Sequence, residues 1–118
     1  MLKRILFALM LLCGFSTLSI AQAPLQATTT ANSTITVTNT FQQVLAQATQ
    51  PARHGCQIQN TGTHVMYVYF GAIASATTSN SYQVAASQTI QCQNANQILQ
   101  DQVSITGTSG DAYVVTSQ

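Results

Sequence analysis

The 118-residue chain carries almost no charge: it has three Lys or Arg residues and two Asp or Glu residues, and charged residues make up 4% of its length. Nucleic acids and anionic membrane surfaces are both bound through clustered Lys and Arg side chains, so we expect the chain to bind neither. Its length is sufficient for one small domain after a leader and too short for two domains.

The first 21 residues have the features of a secretory signal peptide. A short basic start precedes an apolar run over residues 5–12, and small residues follow. We predict cleavage after Ala21, because a later cut would leave Pro24 directly after the cleavage site. A lipoprotein signal at Cys13 is disfavoured because a leucine precedes it. The apolar run is shorter than the roughly 20 residues of a membrane span, so we expect a secreted or periplasmic protein with no membrane span.

The mature chain is predicted to be a flexible leader over residues 22–33, QAPLQATTTANS, followed by a folded domain over residues 34–118. After cleavage it keeps Arg53, Asp101 and Asp111, so its formal net charge is 1 − 2 = −1. We expect Arg53 to form an ion pair with one of the two aspartates. A surface of Gln, Thr, Ser and Asn has little charge repulsion, which favours packing into an assembly or attachment to an extracellular surface.

Short runs of β-branched and aromatic residues follow the leader, and Gly, Asn and Ser separate them, as is typical of an all-β domain. The segments 60–63 and 107–110 each contain a glycine and can form tight turns. The resulting pattern predicts a single small antiparallel β-sandwich of jelly-roll type. The predicted strands span residues 33–39, 40–46, 56–59, 64–71, 81–85, 88–92, 102–106 and 112–116.

Two of the predicted strands have informative patterns, and one segment is ambiguous. Apolar residues alternate with threonines over residues 34–38, as a half-buried strand requires. The run HVMYVYF at 64–70 is apolar on both sides, which predicts a central strand covered on both faces. A short helix ended by Pro51 is the alternative for residues 41–48, because the apolar residues there also have helical spacing.

The cysteines are expected to form a disulfide. Cys13 leaves with the signal peptide, so Cys56 and Cys92 remain, in a compartment where disulfides persist. On their predicted strands Cys56 shares a face with Ile58 and Cys92 shares a face with Ile90, so both sulfur atoms point to the same core. A bridge between them would stabilise the domain by on the order of 4 kcal/mol in the loop-entropy treatment.

Two alternatives to the disulfide are a catalytic cysteine and a zinc site. His54 lies two residues before Cys56 and could activate it as a nucleophile, but no carboxylate lies nearby in sequence to orient the imidazole, and a bonded cysteine is no nucleophile. His54, Cys56, His64 and Cys92 are all zinc-ligand types, but their spacing matches no compact zinc module. We therefore expect no enzymatic activity, no metal and no cofactor.

Tyrosines on the predicted strands are the candidate binding residues. Tyr67, Tyr69 and Tyr82, together with neighbouring Gln and Asn side chains, could line a face that binds a glycan. The alternative is packing within the core or across strands, which is the commoner role of strand aromatics.

Strand and turn residues over roughly residues 40–116 follow the pattern R-x-x-x-x-I-Q-N-T-G, Y-V-x-F-G, A-T-T and V-x-I-T-G-T. The residues of this pattern are Arg53, Cys56, Ile58, Gln59, Asn60, Thr61, Gly62, Tyr67, Val68, Phe70, Gly71, the run Ser75-Ala76-Thr77-Thr78 and the run Val103 to Thr108. In these residues the chain resembles a group of small β-rich proteins encoded by bacteriophages and prophages.

The resemblance implies an accessory role in a virion, such as a decoration, collar or fibre module that acts by packing and not by chemistry. The chain departs from the group in its signal peptide and at Ser87, where the group commonly has a glycine. The expected function is accordingly an exported, non-enzymatic structural or surface-interaction module, associated with a virion or with a cell surface, that binds a protein partner or itself. An extracellular module that binds carbohydrate or a cell surface is the alternative.

Overall fold

The structure is a computed structural model that describes residues 29–49, 52–94 and 97–118. The predicted signal peptide and residues 22–28 of the predicted leader lie outside the described residues. The strands are β1 Thr29–Thr34, β2 Gln42–Leu45, β3 Cys56–Asn60, β4 Met66–Phe70, β5 Tyr82–Val84, β6 Thr89–Gln91, β7 Gln93–Asn94, β8 Gln97–Ile98, β9 Val103–Thr106 and β10 Ala112–Ser117. Two 3-10 turns, Ile73–Ser75 and Thr78–Asn80, lie between β4 and β5.

The strands form a jelly-roll sandwich. Sheet A has the strand order β1-β10-β3-β6 and sheet B has the order β2-β9-β4-β5, and every pairing in both sheets is antiparallel. The small hairpin of β7 and β8 is separate. Apart from that hairpin, the chain crosses between the sheets at each step except from β4 to β5, which is the jelly-roll arrangement. The predicted all-β sandwich is therefore confirmed.

The core lies between the sheets and is supplied by alternate residues of the strands. In β3, for example, Cys56, Ile58 and Asn60 are buried while Gln57 is exposed. This period of two places every second side chain on the inner face of a sheet. The buried apolar residues are Ile35, Cys56, Ile58, Met66, Val68, Val84, Cys92, Val103, Ile105, Tyr113 and Val115.

Strand β4 is interior to sheet B but is not covered on both faces. Met66 and Val68 are buried against sheet A, whereas Tyr67 and Tyr69 on the other side are half-buried. The prediction of a strand covered on both faces is therefore wrong. Tyrosine has an apolar ring and a polar hydroxyl, so it occupies a half-exposed position without penalty.

Residues 42–45 form a strand, as predicted, and not the alternative helix. β2 pairs with β9, and its register shifts between Gln43 and Leu45. Such a bulge lets two successive residues turn towards the same side, and both Val44 and Leu45 pack against the core. The two adjacent apolar residues, which also fit a helix, are explained by this bulge.

The first strand begins earlier than expected. β1 includes residues 29–33 of the predicted leader and shares only Ser33 and Thr34 with the predicted strand 33–39. The predicted alternation holds at Ile35, which is buried, and fails at Val37, which is 55% exposed. A turn follows, with Asn39 at a φ of 58°, so the chain leaves sheet A there.

The turn before β6 holds Ser87 at a φ of 64°. A side chain with a Cβ atom is disfavoured in this left-handed region, whereas glycine enters it freely. The backbone conformation at position 87 therefore favours glycine over serine. Within the described residues, no helix is long and apolar enough to cross a membrane.

Candidate binding face

The Cys56–Cys92 disulfide is present, as predicted. Ile58 and Ile90 are directly opposed in the antiparallel pairing of β3 with β6. Cys56 lies two residues before Ile58 and Cys92 lies two residues after Ile90, so the cysteines are opposed on the same side of this pair. The backbone N–H of Cys92 donates to the carbonyl of Cys56 at 2.9 Å, and the Cα atoms are 5.1 Å apart. Because both sulfur atoms are bonded, Cys56 has no thiolate to act as a nucleophile beside His54.

The segment RHGC, residues 53–56, borders an open cleft of about 280 Å³ on sheet A. Polar glutamine and threonine side chains form most of its wall, and His54 lies at its rim. The lining residues are His54, Gly55, Cys56, Gln57, Gln91, Gln93, Ile98, Thr116 and Gln118. Ligand sites are usually larger and mainly apolar, so we do not assign the binding site to this cleft.

Arg53 is a structural residue at the base of this segment. It is 8% exposed, and its guanidinium donates to the carbonyls of Ala46, Leu99 and Asp101 at 2.8–3.2 Å. Burial lowers the pKa of Arg53, and the charge of Asp101 opposes that effect. The expected ion pair with the Asp101 or Asp111 carboxylate is not formed: the guanidinium instead donates to backbone carbonyls of the two surrounding loops.

Asp111 has a different partner. Its carboxylate lies 3.0 Å from Nδ1 of His64, and the backbone N–H of Thr63 donates to it at 3.2 Å. Burial raises the pKa of Asp111, but the hydrogen bonds from Thr63 and His64 and the charge of His64 outweigh burial and hold the pKa below its ordinary value. The His64 side chain is 61% exposed, so this pair joins the β3–β4 turn to the β9–β10 turn at the surface.

The residues weighed as zinc ligands do not form a metal centre in the part of the chain that the structure describes. Cys56 and Cys92 are joined to each other, and His64 is paired with Asp111. No group of three or more His, Cys, Asp or Glu side chains comes together in the described ranges.

The candidate tyrosines divide between the two sides of sheet B. Tyr67 and Tyr69 alternate with the buried Met66 and Val68, so they point outward. Tyr82 pairs directly with Val68, which places it on the inner side at the edge of the sheet, where its ring meets Phe70 edge-on at 5.6 Å. Although Tyr82 is 59% exposed, it does not share a face with the other two.

The outer side of sheet B carries an aromatic cluster above two buried hydroxyls. Phe41, directly before β2, meets the ring of Tyr69 on β4 at 6.5 Å. Because β9 lies between β2 and β4, these rings meet above β9. There Ser104 and Thr106 are 0% exposed and are paired with Tyr69 and Tyr67 respectively. We call Phe41, Tyr67, Tyr69, Ser104 and Thr106 the aromatic face.

The hydroxyls of Ser104 and Thr106 have no hydrogen-bond partner within the described residues. A buried hydroxyl without a partner costs roughly 1–3 kcal/mol relative to a satisfied one. Natural structures contain few such groups, and each needs an explanation. Here they lie beneath side chains at the surface and not in the central core.

Uncharged amide side chains border the aromatic face. Gln43 on β2 lies opposite Ser104 on β9, and Gln83 on β5 lies opposite Tyr67 on β4. Both glutamines are exposed. The Nε2 of Gln102 donates to Oε1 of Gln43. The face therefore combines aromatic rings with amide and hydroxyl groups, and none of its defining or bordering residues is Asp, Glu, Lys or Arg.

Two residues of the aromatic face, Tyr67 and Tyr69, were predicted from the sequence, and three were not. The three missed residues are Phe41, Ser104 and Thr106. The available signal was alternation: Ser104 and Thr106 occupy the places between the apolar Val103 and Ile105, so they had to lie on the other side of β9. Pairing of β9 with β4 was needed to place them beneath the tyrosines.

Comparison with known proteins supports the fold and nothing finer. No protein-family model matches the chain, and no match is found among curated proteins. Among solved structures the chain is similar to one described as the crystal structure of PirA, with 19% identity and a TM-score of 0.50 over 75% of this chain and 93% of that chain. At this identity the similarity shows a shared fold alone.

Proposed function

We propose that the protein is an exported, non-enzymatic surface-interaction module that binds neutral glycans through its aromatic face. The observation that carries the proposal is the cluster of Phe41, Tyr67 and Tyr69 above the unpartnered hydroxyls of Ser104 and Thr106. Export is supported by the N-terminal sequence and by the Cys56–Cys92 disulfide, since such bonds persist in oxidising compartments.

The chemistry of this face suits a sugar ring. A pyranose presents a C–H surface that packs on an aromatic ring, and its rim of hydroxyls both donates and accepts hydrogen bonds. The amides of Gln43 and Gln83 supply donors and acceptors beside the rings. The absence of charged side chains from the face disfavours anionic polymers, which need Lys or Arg.

The buried hydroxyls add a reason for ligand binding. A ligand that shifts the ring of Phe41 or Tyr69 would expose Ser104 and Thr106 to a sugar hydroxyl. Satisfying these groups would recover part of the free energy that their burial costs. The rings of Phe41 and Tyr69 would then cover the two hydroxyls only in the free protein, and a polar ligand would take their place in the complex.

The test is a glycan array followed by titration calorimetry with the strongest saccharide hit, on the oxidised protein. Tyr67→Ala and Tyr69→Ala should each weaken binding at least tenfold, which corresponds to about 1.4 kcal/mol. Tyr82→Ala is the matched control, because it removes the same side chain from the opposite side of sheet B and should leave affinity unchanged. No saccharide hit, or an equal loss in all three variants, would overturn the proposal.

A structural role in an assembly, such as that of a virion accessory protein, is the second candidate. It is favoured by the nearly uncharged mature chain and by the exposed edge of β1, which offers backbone groups for pairing. Light scattering coupled to size exclusion, over a wide range of concentrations, tests it. A concentration-dependent increase in mass supports self-assembly, and a constant monomer mass opposes it.

A further inference from the structure

We infer that β1, whose outer edge has no strand partner within the described residues, pairs antiparallel with β1 of a second copy of the chain and joins two A sheets across a two-fold axis. This inference rests on the assembly role proposed above and names the surface that performs it. It does not depend on glycan binding, because the aromatic face belongs to sheet B.

The four sheet edges differ in how open they are. Sheet A ends at β1 and β6, and sheet B ends at β2 and β5. β5 and β6 have three residues each, and the register of β2 is broken by a bulge. Short and bulged edges are the usual protection against pairing between molecules. β1 instead has six residues in uninterrupted register with β10.

Half of the backbone groups of β1 face away from β10. The N–H of Ile35 donates to Asp111 at 2.9 Å and its carbonyl accepts from Gly110, so Ile35 faces β10. Antiparallel strands alternate in the direction of their hydrogen-bonding groups. The N–H and C=O groups of Thr30, Asn32 and Thr34 therefore point away from β10, and the carbonyl of Thr34 accepts a hydrogen bond from Nε2 of Gln42 at 3.2 Å.

A second β1 strand is the occupant that fits these groups. In antiparallel pairing, directly opposed residues alternate between pairs that exchange both hydrogen bonds and pairs that exchange none, so outward-facing residues must lie opposite outward-facing residues. With Asn32 opposite Asn32 on the two-fold axis, Thr30 of each copy opposes Thr34 of the other. Every outward N–H then gains an acceptor, and the carbonyl of Thr34 takes a second hydrogen bond beside that from Gln42. The strand sequence TTANST contains no charge and no proline, so nothing repels an identical strand or removes a donor.

The surroundings of β1 leave room for the second copy. All six residues of β1 are exposed. Ala31 and Ser33 share the side of Val115 and Tyr113, which are buried, but sheet B does not reach over them. An edge of this length buries less than the roughly 1,200 Å² typical of stable interfaces, so we expect a reversible dimer.

The test compares Asn32→Pro with Asn32→Ala in sedimentation velocity over a wide range of protein concentrations. Proline removes the outward N–H of residue 32 and leaves the bonds of β1 to β10 intact, which is tolerated in an edge strand. Wild type and Asn32→Ala should dimerise with rising concentration, whereas Asn32→Pro should require at least a tenfold higher concentration. Circular dichroism melts confirm that both variants are folded.

A cross-linking measurement tests the register. Asn32→Cys should form a covalent dimer on mild oxidation faster than Gln83→Cys, an equally exposed position on sheet B. A dimer that Asn32→Pro does not weaken, or equal cross-linking of the two cysteine variants, would overturn the β1 edge and leave self-assembly standing. A wild-type protein that stays monomeric at every concentration would overturn both.

Discussion

Removing the Cys56–Cys92 disulfide should lower the free energy of unfolding by about 4 kcal/mol. The bond joins residues separated by 36 positions, and closing a loop of that length restricts the unfolded chain by about this amount at 25 °C. Small domains have a total stability of roughly 5–15 kcal/mol, so the bond supplies a large share. The melting temperature should fall by about 15–30 °C.

The assay is urea unfolding followed by circular dichroism, on the wild type and on the Cys56→Ala, Cys92→Ala double variant. Reduction of the wild type should reproduce most of the loss seen in the variant, because both release the same loop. The variant itself provides the control, since a reductant should not change its unfolding curve. The dependence of free energy on urea should also steepen without the bond, because the unfolded chain expands.

A loss of less than about 1 kcal/mol in the double variant would refute this reasoning. It would mean that the unfolded chain is already compact around these residues, so that the bond restricts it little. A loss in the variant but not in the reduced wild type would assign the effect to the packing of the sulfur atoms and not to loop closure.

Three further changes should alter stability, each measured by urea unfolding. Burial raises the pKa of Asp111, but its hydrogen bonds lower that pKa by more, so the folded-state pKa lies below the unfolded one. The stability that the ionised carboxylate contributes is therefore present above about pH 4 and is lost as the pH falls through the folded-state pKa. Asp111→Asn should remove this pH dependence. Asn60→Ala should cost about 2–4 kcal/mol, because its amide donates to the carbonyls of His64 and Val84, and an unchanged midpoint would contradict this. Ser87→Gly should raise stability by about 1 kcal/mol, because the φ of 64° suits glycine; a destabilised variant would oppose that account.

The strand pattern and the disulfide were predictable from local sequence. Alternation in β3 located Cys56 and Ile58 on one face, and the parity of Cys92 with Ile90 placed the second sulfur on the same core. These predictions succeed because side-chain direction in a strand has a strict period of two. The leader, by contrast, gave no such signal, since residues 29–33 bury no side chain.

The partners of charged groups were not predictable. Arg53 binds the carbonyls of Ala46, Leu99 and Asp101, and its choice of backbone over a carboxylate depends on which loops end beside it. Asp111 meets His64 because two turns lie side by side in the fold. Neither contact has a sequence pattern, because each joins residues brought together by the sheet order.

By itself the sequence determined the fold class, the pairing of the cysteines and the nearly uncharged character of the domain, because composition and alternation are local properties. Only the tertiary structure decided which strands lie side by side. It placed β9 between β2 and β4, which brought Phe41 to Tyr69 above Ser104, and it left β1 at an open edge. Strand order is set by the packing of two sheets around one core, so the aromatic face and the free edge exist only once that core has formed.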